Sequence, residues 1–216
     1  MKTILVPTDF SNTARNAAKY ALALADQIKA DRLVLYNAFQ APVSVDPMVP
    51  TVQLLDMDLM KKSSEEGLHQ FKEELKSEPF GAIEIDTFSE YNVLTGGIND
   101  LAKAVAADFI VMGITGGGAV TETLIGSNAV SVSLHSTIPV IIVPPEASFK
   151  KINSVLLACD FKQVLENTPV KPLKQLLENT GAALHVLHVN TSAEKSINVS
   201  FETMVLDGLL KGNSPQ

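Results

Sequence analysis

The sequence predicts an α/β fold: a doubly wound, five-stranded parallel sheet, followed by a partial second β-α-β copy. Three observations carry this. Strand and helix signals alternate through the first 145 residues, as they do when each parallel strand is joined to the next by a crossover helix. The strands are nearly continuous apolar runs, which suits a sheet covered on both faces. The opening pattern also returns late in the chain, where Ser154 to Phe161 repeats Thr3 to Phe10 at an offset of 151 residues.

Taken in order, Thr3 to Val6 is the first strand, stopped by Pro7. Ala14, Ala17, Ala18, Ala21, Leu22, Ala25 and Ile28 then recur at helical spacing on one face, with Ser11 or Asn12 as N-cap. Leu33 to Phe39 is the second strand, and the Pro-containing stretch 40–50 is a long connection. The next helix turns Met60, Leu68, Phe71 and Leu75 inward and presents a solvated Lys/Glu face. Ile83 to Phe88 is the third strand, about Val93 to Ala106 the third helix, Asp108 to Met112 the fourth strand, and Ser127 to His135 a fourth helix. Ile138 to Val143 closes the unit, and Pro139 places it at a sheet edge or at a strand start. An edge this apolar calls for a cover, either a partner or a tail of the same chain.

The predicted boundaries are 1–146 for the first domain and 152–216 for the partial repeat. Carrying the offset forward places Leu184 to Asn190 on Leu33 to Phe39. Between these strands Asn167 or Thr168 caps a helix with Pro169 in its first turn, and Gly181 follows it. Residues 191–216 offer at most one short helix and no second glycine loop.

Composition narrows the function classes. The chain has 216 residues, 46% hydrophobic and 19% charged, with no apolar run of membrane-spanning length and no secretory leader pattern at its start. These features predict a cytoplasmic protein. A net charge of −7 and the lack of a basic run argue against nucleic acid as a partner, and nothing suggests a membrane partner. Cys159, the single cysteine, cannot form an intramolecular disulfide and is expected in the core. His185 and His188 fall on opposite faces of a strand and cannot share one metal.

The most informative segment is Gly113 to Gly126, in which five of fourteen residues are glycine, lying between the fourth strand and the fourth helix. Glycine at the strand exit permits positive φ and close ligand approach, and the helix start presents free N–H groups to an anion. The spacing is G-2x-G-9x-G-S, formed by Gly113, Gly116, Gly126 and Ser127. It matches neither G-x-x-x-x-G-K-[ST] nor G-x-G-x-x-G. In an open α/β sheet the ligand crevice lies beyond the carboxyl ends of the strands, and Asp9 and Gly113 both occupy such ends.

Together, Pro7-Thr8-Asp9-Phe10-Ser11 after the first strand and this glycine pattern after the fourth resemble the universal stress protein family over residues 1–144. The second repeat resembles only that family's opening β-α-β. The resemblance implies a Rossmann-like fold of the adenine-nucleotide α-hydrolase type, binding of ATP or AMP, a stress-response role without catalysis, and a homodimer formed through the last strand, here Val140, Ile141, Ile142 and Val143. It also implies a site. Pro7, Thr8 and Asp9 would line the nucleoside end, with the Asp9 carboxylate accepting from ribose hydroxyls. Ala38 would pack on adenine, Met112 and Gly113 would border the ribose, and Gly116, Gly126, Ser127 and Asn128 would surround the phosphates.

One departure matters. From Val111 through Phe149 there is no Lys or Arg, and Glu122 adds a negative charge within the loop. Backbone dipoles worth about half a charge do not balance a triphosphate of about four charges. A divalent cation such as Mg²⁺, a lysine from elsewhere, or a smaller ligand such as AMP must make up the difference. Ala129 also removes a hydroxyl that some relatives carry. Two alternatives stand beside nucleotide binding: an interaction protein of the same fold that has lost its ligand, and a slow ATPase or adenylyl-transferring enzyme. Against the enzyme stands the lack of a visible base, nucleophile or metal-ligand cluster.

Overall fold

The computed structural model describes residues 2–40, 57–81, 83–114, 126–161, 164–188 and 199–211. They fall into two compact units, Met1–Phe149 and Lys150–Gln216.

The first unit contains β1 (Thr3–Pro7), α1 (Asn12–Ile28), β2 (Arg32–Phe39), α2 (Met57–Lys76), β3 (Glu84–Tyr91), α3 (Leu94–Ala104), β4 (Phe109–Gly113), α4 (Ser127–His135) and β5 (Val140–Val143). The strands form one parallel sheet in the order β3-β2-β1-β4-β5, so the direction of winding reverses between β1 and β4. β1 is central and fully buried, which is why its sequence is an unbroken apolar run. The core beneath α3 and α4 joins Leu5, Val34, Tyr36 and Ile110 to Ile98, Ala102, Ala129 and Val132. On α1, Ala14, Ala17, Ala18, Ala21 and Ala25 are buried, and their small side chains let the helix lie close to the sheet.

Several boundaries differ from expectation for identifiable reasons. The third helix begins at Leu94, since Val93 is its extended N-cap, and it ends before Ala106, whose φ is 50°. β3 starts one residue late and runs on to Tyr91. β5 begins after Pro139, so the proline stands at the strand start. Among the described residues β5 pairs only with β4, which places it at the sheet edge.

The second unit contains β6 (Ser154–Ala158), α5 (Val164–Asn167), α6 (Val170–Thr180), β7 (Ala183–Leu187) and α7 (Val199–Lys211). β6 and β7 form a two-stranded parallel sheet. Pro169 is the N-cap of α6 rather than a residue of its first turn, and Gly181 ends the helix with φ 68°. The short α5 had no clear sequence signal.

The two units share their opening geometry bond for bond. Thr8 N–H donates to Tyr36 O at 2.8 Å, and Cys159 N–H donates to Leu187 O at 2.9 Å. Phe10 and Phe161 both have left-handed backbones, with φ 63° and 53°. Each donates its N–H two residues back, to Thr8 Oγ1 at 3.0 Å and to Cys159 Sγ at 3.3 Å. Asn37 Nδ2 donates to Thr8 O at 2.7 Å, and His188 Nδ1, which must carry its proton to face a carbonyl, stands 3.0 Å from Cys159 O. Cys159 is half-buried, at the margin of the cluster of Phe161, Val164, Val205 and Leu206 rather than fully inside it.

Candidate functional site

A cleft of about 170 Å³ opens at the carboxyl ends of β1 and β4, where the winding direction changes. Pro7, Thr8, Asp9, Ala38, Met112, Gly113, Gly126, Ser127 and Asn128 all line it. The structure therefore brings two segments more than a hundred residues apart in sequence to one place. Gly116, with most of its loop, lies outside the described residues.

The Pro7-Thr8-Asp9 turn is held from behind. Thr8 is buried, and its carbonyl accepts from Asn37 Nδ2. Asn37 Oδ1 accepts from Ser64 Oγ at 2.7 Å, and Ser89 Oγ donates to Ser64 Oγ at 2.7 Å. This polar chain ties β1, β2, α2 and β3 to the turn that presents Asp9. Asp9 is exposed, and its Oδ1 accepts from Ser11 N–H at 3.0 Å, which closes an Asx turn and orients the carboxylate. Ser11 then caps α1, accepting from Ala14 N–H at 3.3 Å. Phe10 packs across Gly67 of α2, and Arg15 lies over Phe71 and pairs with Glu74.

At Gly113 a reason for glycine appears that the sequence did not reveal. It does not have positive φ; instead, an added Cβ would stand 2.6 Å from Thr13 O and 2.9 Å from Thr13 C. The close approach it permits is that of the first turn of α1 to the end of β4. Gly126 is the N-cap of α4 with φ −55° and ψ 143°, a conformation open to any residue. No side chain caps α4, so the N–H groups of its first turn have no partner among the described residues.

Sequence reasoning missed Leu94, Ser11, Thr13, Ala14 and Ile114, which also line the cleft, and Ala129 had been noted only for its missing hydroxyl. They reveal that the N-terminal turns of three helices, α1, α3 and α4, converge on the cleft. The signal was present in the rule that each crossover helix starts at the carboxyl edge of the sheet, which places Leu94 there as directly as Ser127. None of the described residues lining the cleft is Lys or Arg. A helix N-terminus carries about half a positive charge, which favours an anion but falls well short of balancing a triphosphate.

Beside the cleft, the Tyr36 hydroxyl donates to Glu90 Oε2 at 2.5 Å, and both atoms crowd over Gly97 of α3. Burial, reinforced by the bond to Glu90, pushes the Tyr36 phenol well above its usual range. Among the described residues no group of three His, Cys, Asp or Glu is placed to hold a metal ion, and no helix is long and apolar enough to cross a membrane.

The sequence model of the Universal stress protein family matches residues 1–144. Universal stress protein MJ0531 of Methanocaldococcus jannaschii is 31% identical over 142 residues, covering 66% of this chain and 81% of that protein. A solved universal stress protein in complex with cAMP is 22% identical with a TM-score of 0.50, covering 66% of this chain and 96% of its own. A solved universal stress protein from Archaeoglobus fulgidus DSM 4304 covers 98% of this chain and 74% of its own, with a TM-score of 0.64 and 19% identity. The two structures bear on the fold. The chain belongs to the universal stress protein family.

Proposed function

We propose that this chain binds an adenine nucleotide, AMP or ATP, in the cleft between the Pro7-Thr8-Asp9 turn and the start of α4, and serves as a regulatory or binding module in a stress response. The observation that supports the reading best is the convergence of the two motifs on a crevice at the winding reversal. In this reading Asp9 accepts from ribose hydroxyls, Ala38 packs on the base, and Met112 and Gly113 border the sugar. The N–H groups of Ser127 and Asn128 and the Ser127 hydroxyl receive the phosphates, with Gly126 and Gly116 leaving room for them. The cleft is smaller than the roughly 300–1,000 Å³ common for ligand pockets, so the phosphates extend towards its mouth. In this reading Mg²⁺ strengthens ATP binding by offsetting its charge. The cAMP of the solved relative is that protein's ligand, and it enters the assay here as one candidate.

The module acts in the cytoplasm as a homodimer through Val140, Ile141, Ile142 and Val143. The uncharged edge strand β5, with Val140, Ile141 and Ile142 only partly buried, supports this contact. The segment 152–216 acts as a partial second domain of the family. Denaturing the purified protein and analysing the supernatant by mass spectrometry tests the ligand: adenine nucleotide released in proportion to protein supports the reading. Ligand-free protein that takes up none on incubation with AMP, ATP plus Mg²⁺ or cAMP favours an interaction protein of the same fold.

A further inference from the structure

The bonds between β6 and β7 fix the direction of every backbone group in β6. Cys159 N–H donates to Leu187 O, and Asn153 O accepts from Ala183 N–H, so odd-numbered positions face β7. Ser154, Leu156 and Ala158 therefore point their N–H and C=O groups at the opposite edge, which pairs with no strand among the described residues. Their counterparts at the 151-residue offset are Thr3, Leu5 and Pro7, on the edge of β1 that pairs with β4. Leu5 is fully buried there, whereas Leu156 is 63% exposed. The outward N–H and C=O groups of β6 are thus a template for a further strand.

The side chains of β6 say what fits. The outer strand β3 carries Glu84, Asp86 and Glu90, the charged pattern by which an edge resists pairing. β6 has neither charge nor proline. Its sequence, Ser-Val-Leu-Leu-Ala, reads almost alike in size from both ends. In an antiparallel pair centred on Leu156, Ser154 meets Ala158, Val155 meets Leu157, and Leu156 meets its own copy, with no like charges opposed. We propose that the open edge of β6 pairs with β6 of a second copy, antiparallel about a two-fold axis between the two Leu156 residues, building a four-stranded sheet β7-β6-β6-β7. This contact is separate from the one at β5.

Residue-resolved amide exchange tests it in the full chain. The Val155 and Leu157 amides face β7 and are protected at all concentrations. The Leu156 and Ala158 amides are protected in the associated protein and exchange at least tenfold faster on dilution to the 23.2 kDa monomer. Rapid exchange of Leu156 and Ala158 at every concentration, or their protection in a monomer, overturns the proposal. As an independent measure, Ile141→Lys, which removes the β5 contact, retains twice the monomer mass by light scattering. Adding Leu156→Pro, which deletes only an outward N–H, reduces it to the monomer with unchanged circular dichroism. A monomeric Ile141→Lys protein overturns the proposal as well.

Discussion

Gly113 and Thr13 approach so closely that a Cβ on Gly113 would stand 2.6 Å from the Thr13 carbonyl oxygen. Backbone meets backbone here, so no side chain can swing aside. Gly113→Ala must push α1 off the end of β4, at a cost of about 1–3 kcal/mol. Because α1 follows directly from the Asp9 turn, nucleotide affinity falls as well. Urea unfolding checks the first effect and calorimetry the second; an unchanged unfolding midpoint would show that α1 accommodates the methyl group freely.

The chain from Ser89 through Ser64 and Asn37 to Thr8 gives a second expectation. Asn37→Leu leaves the Thr8 carbonyl and the Ser64 hydroxyl without their buried partner. Such losses cost about 1–3 kcal/mol each. Ser64→Ala removes less, since Asn37 keeps its bond to Thr8. Chemical denaturation should rank the variants in that order, and the reverse ranking would contradict the relay.

Tyr36 sets the alkaline behaviour. Its folded-state pKa is raised above the ordinary value of 10.0, chiefly by burial and then by Glu90, with Asp100 acting in the same direction. A raised pKa contributes stability that is complete below pH 10 and is lost as pH rises above it, because only the unfolded chain releases the proton readily. Tyr36→Phe should lower stability at neutral pH by about 1 kcal/mol for the lost hydrogen bond and flatten its decline above pH 10. Thermal melts across pH 8–11 decide; an equally steep decline in the variant would assign it to other groups.

Much of this was legible in the sequence. Alternating patterns located every strand of the first sheet, Pro139 marked the start of β5, and the glycine at 126 marked the start of α4. Asp9, Ser127 and Asn128 could be placed together because strand order puts both loops on one crevice. The role of Gly113 was hidden, since a helix pressing on a strand end leaves no local sequence mark. The half-burial of Cys159 was hidden for a similar reason: its apolar neighbours read as a core strand, whereas the structure puts it at the margin of a small cluster built with helix residues distant in sequence. The left-handed turns at Phe10 and Phe161 escaped notice because phenylalanine does not advertise positive φ.

The charge balance of the cleft predicts ligand preference. With helix N-termini and no cation among the described lining residues, ATP should bind no more than about tenfold tighter than AMP without metal, and Mg²⁺ should improve ATP while leaving AMP unchanged. Competition titrations with and without EDTA measure this. A strong metal-independent preference for ATP would reveal a basic group reaching the phosphates.

The most direct measurement is calorimetric titration of AMP into the wild-type chain and into Gly126→Val. Valine fits the backbone at φ −55° and ψ 143°, so the variant keeps its circular dichroism, while in the proposed site its side chain takes the space of the phosphates. The account predicts saturable binding of one AMP per wild-type chain and none to the variant. Equal binding to both proteins, or no binding of AMP, ATP with Mg²⁺ or cAMP to the wild type at about millimolar concentration, a binding free energy weaker than about −4 kcal/mol, would contradict it.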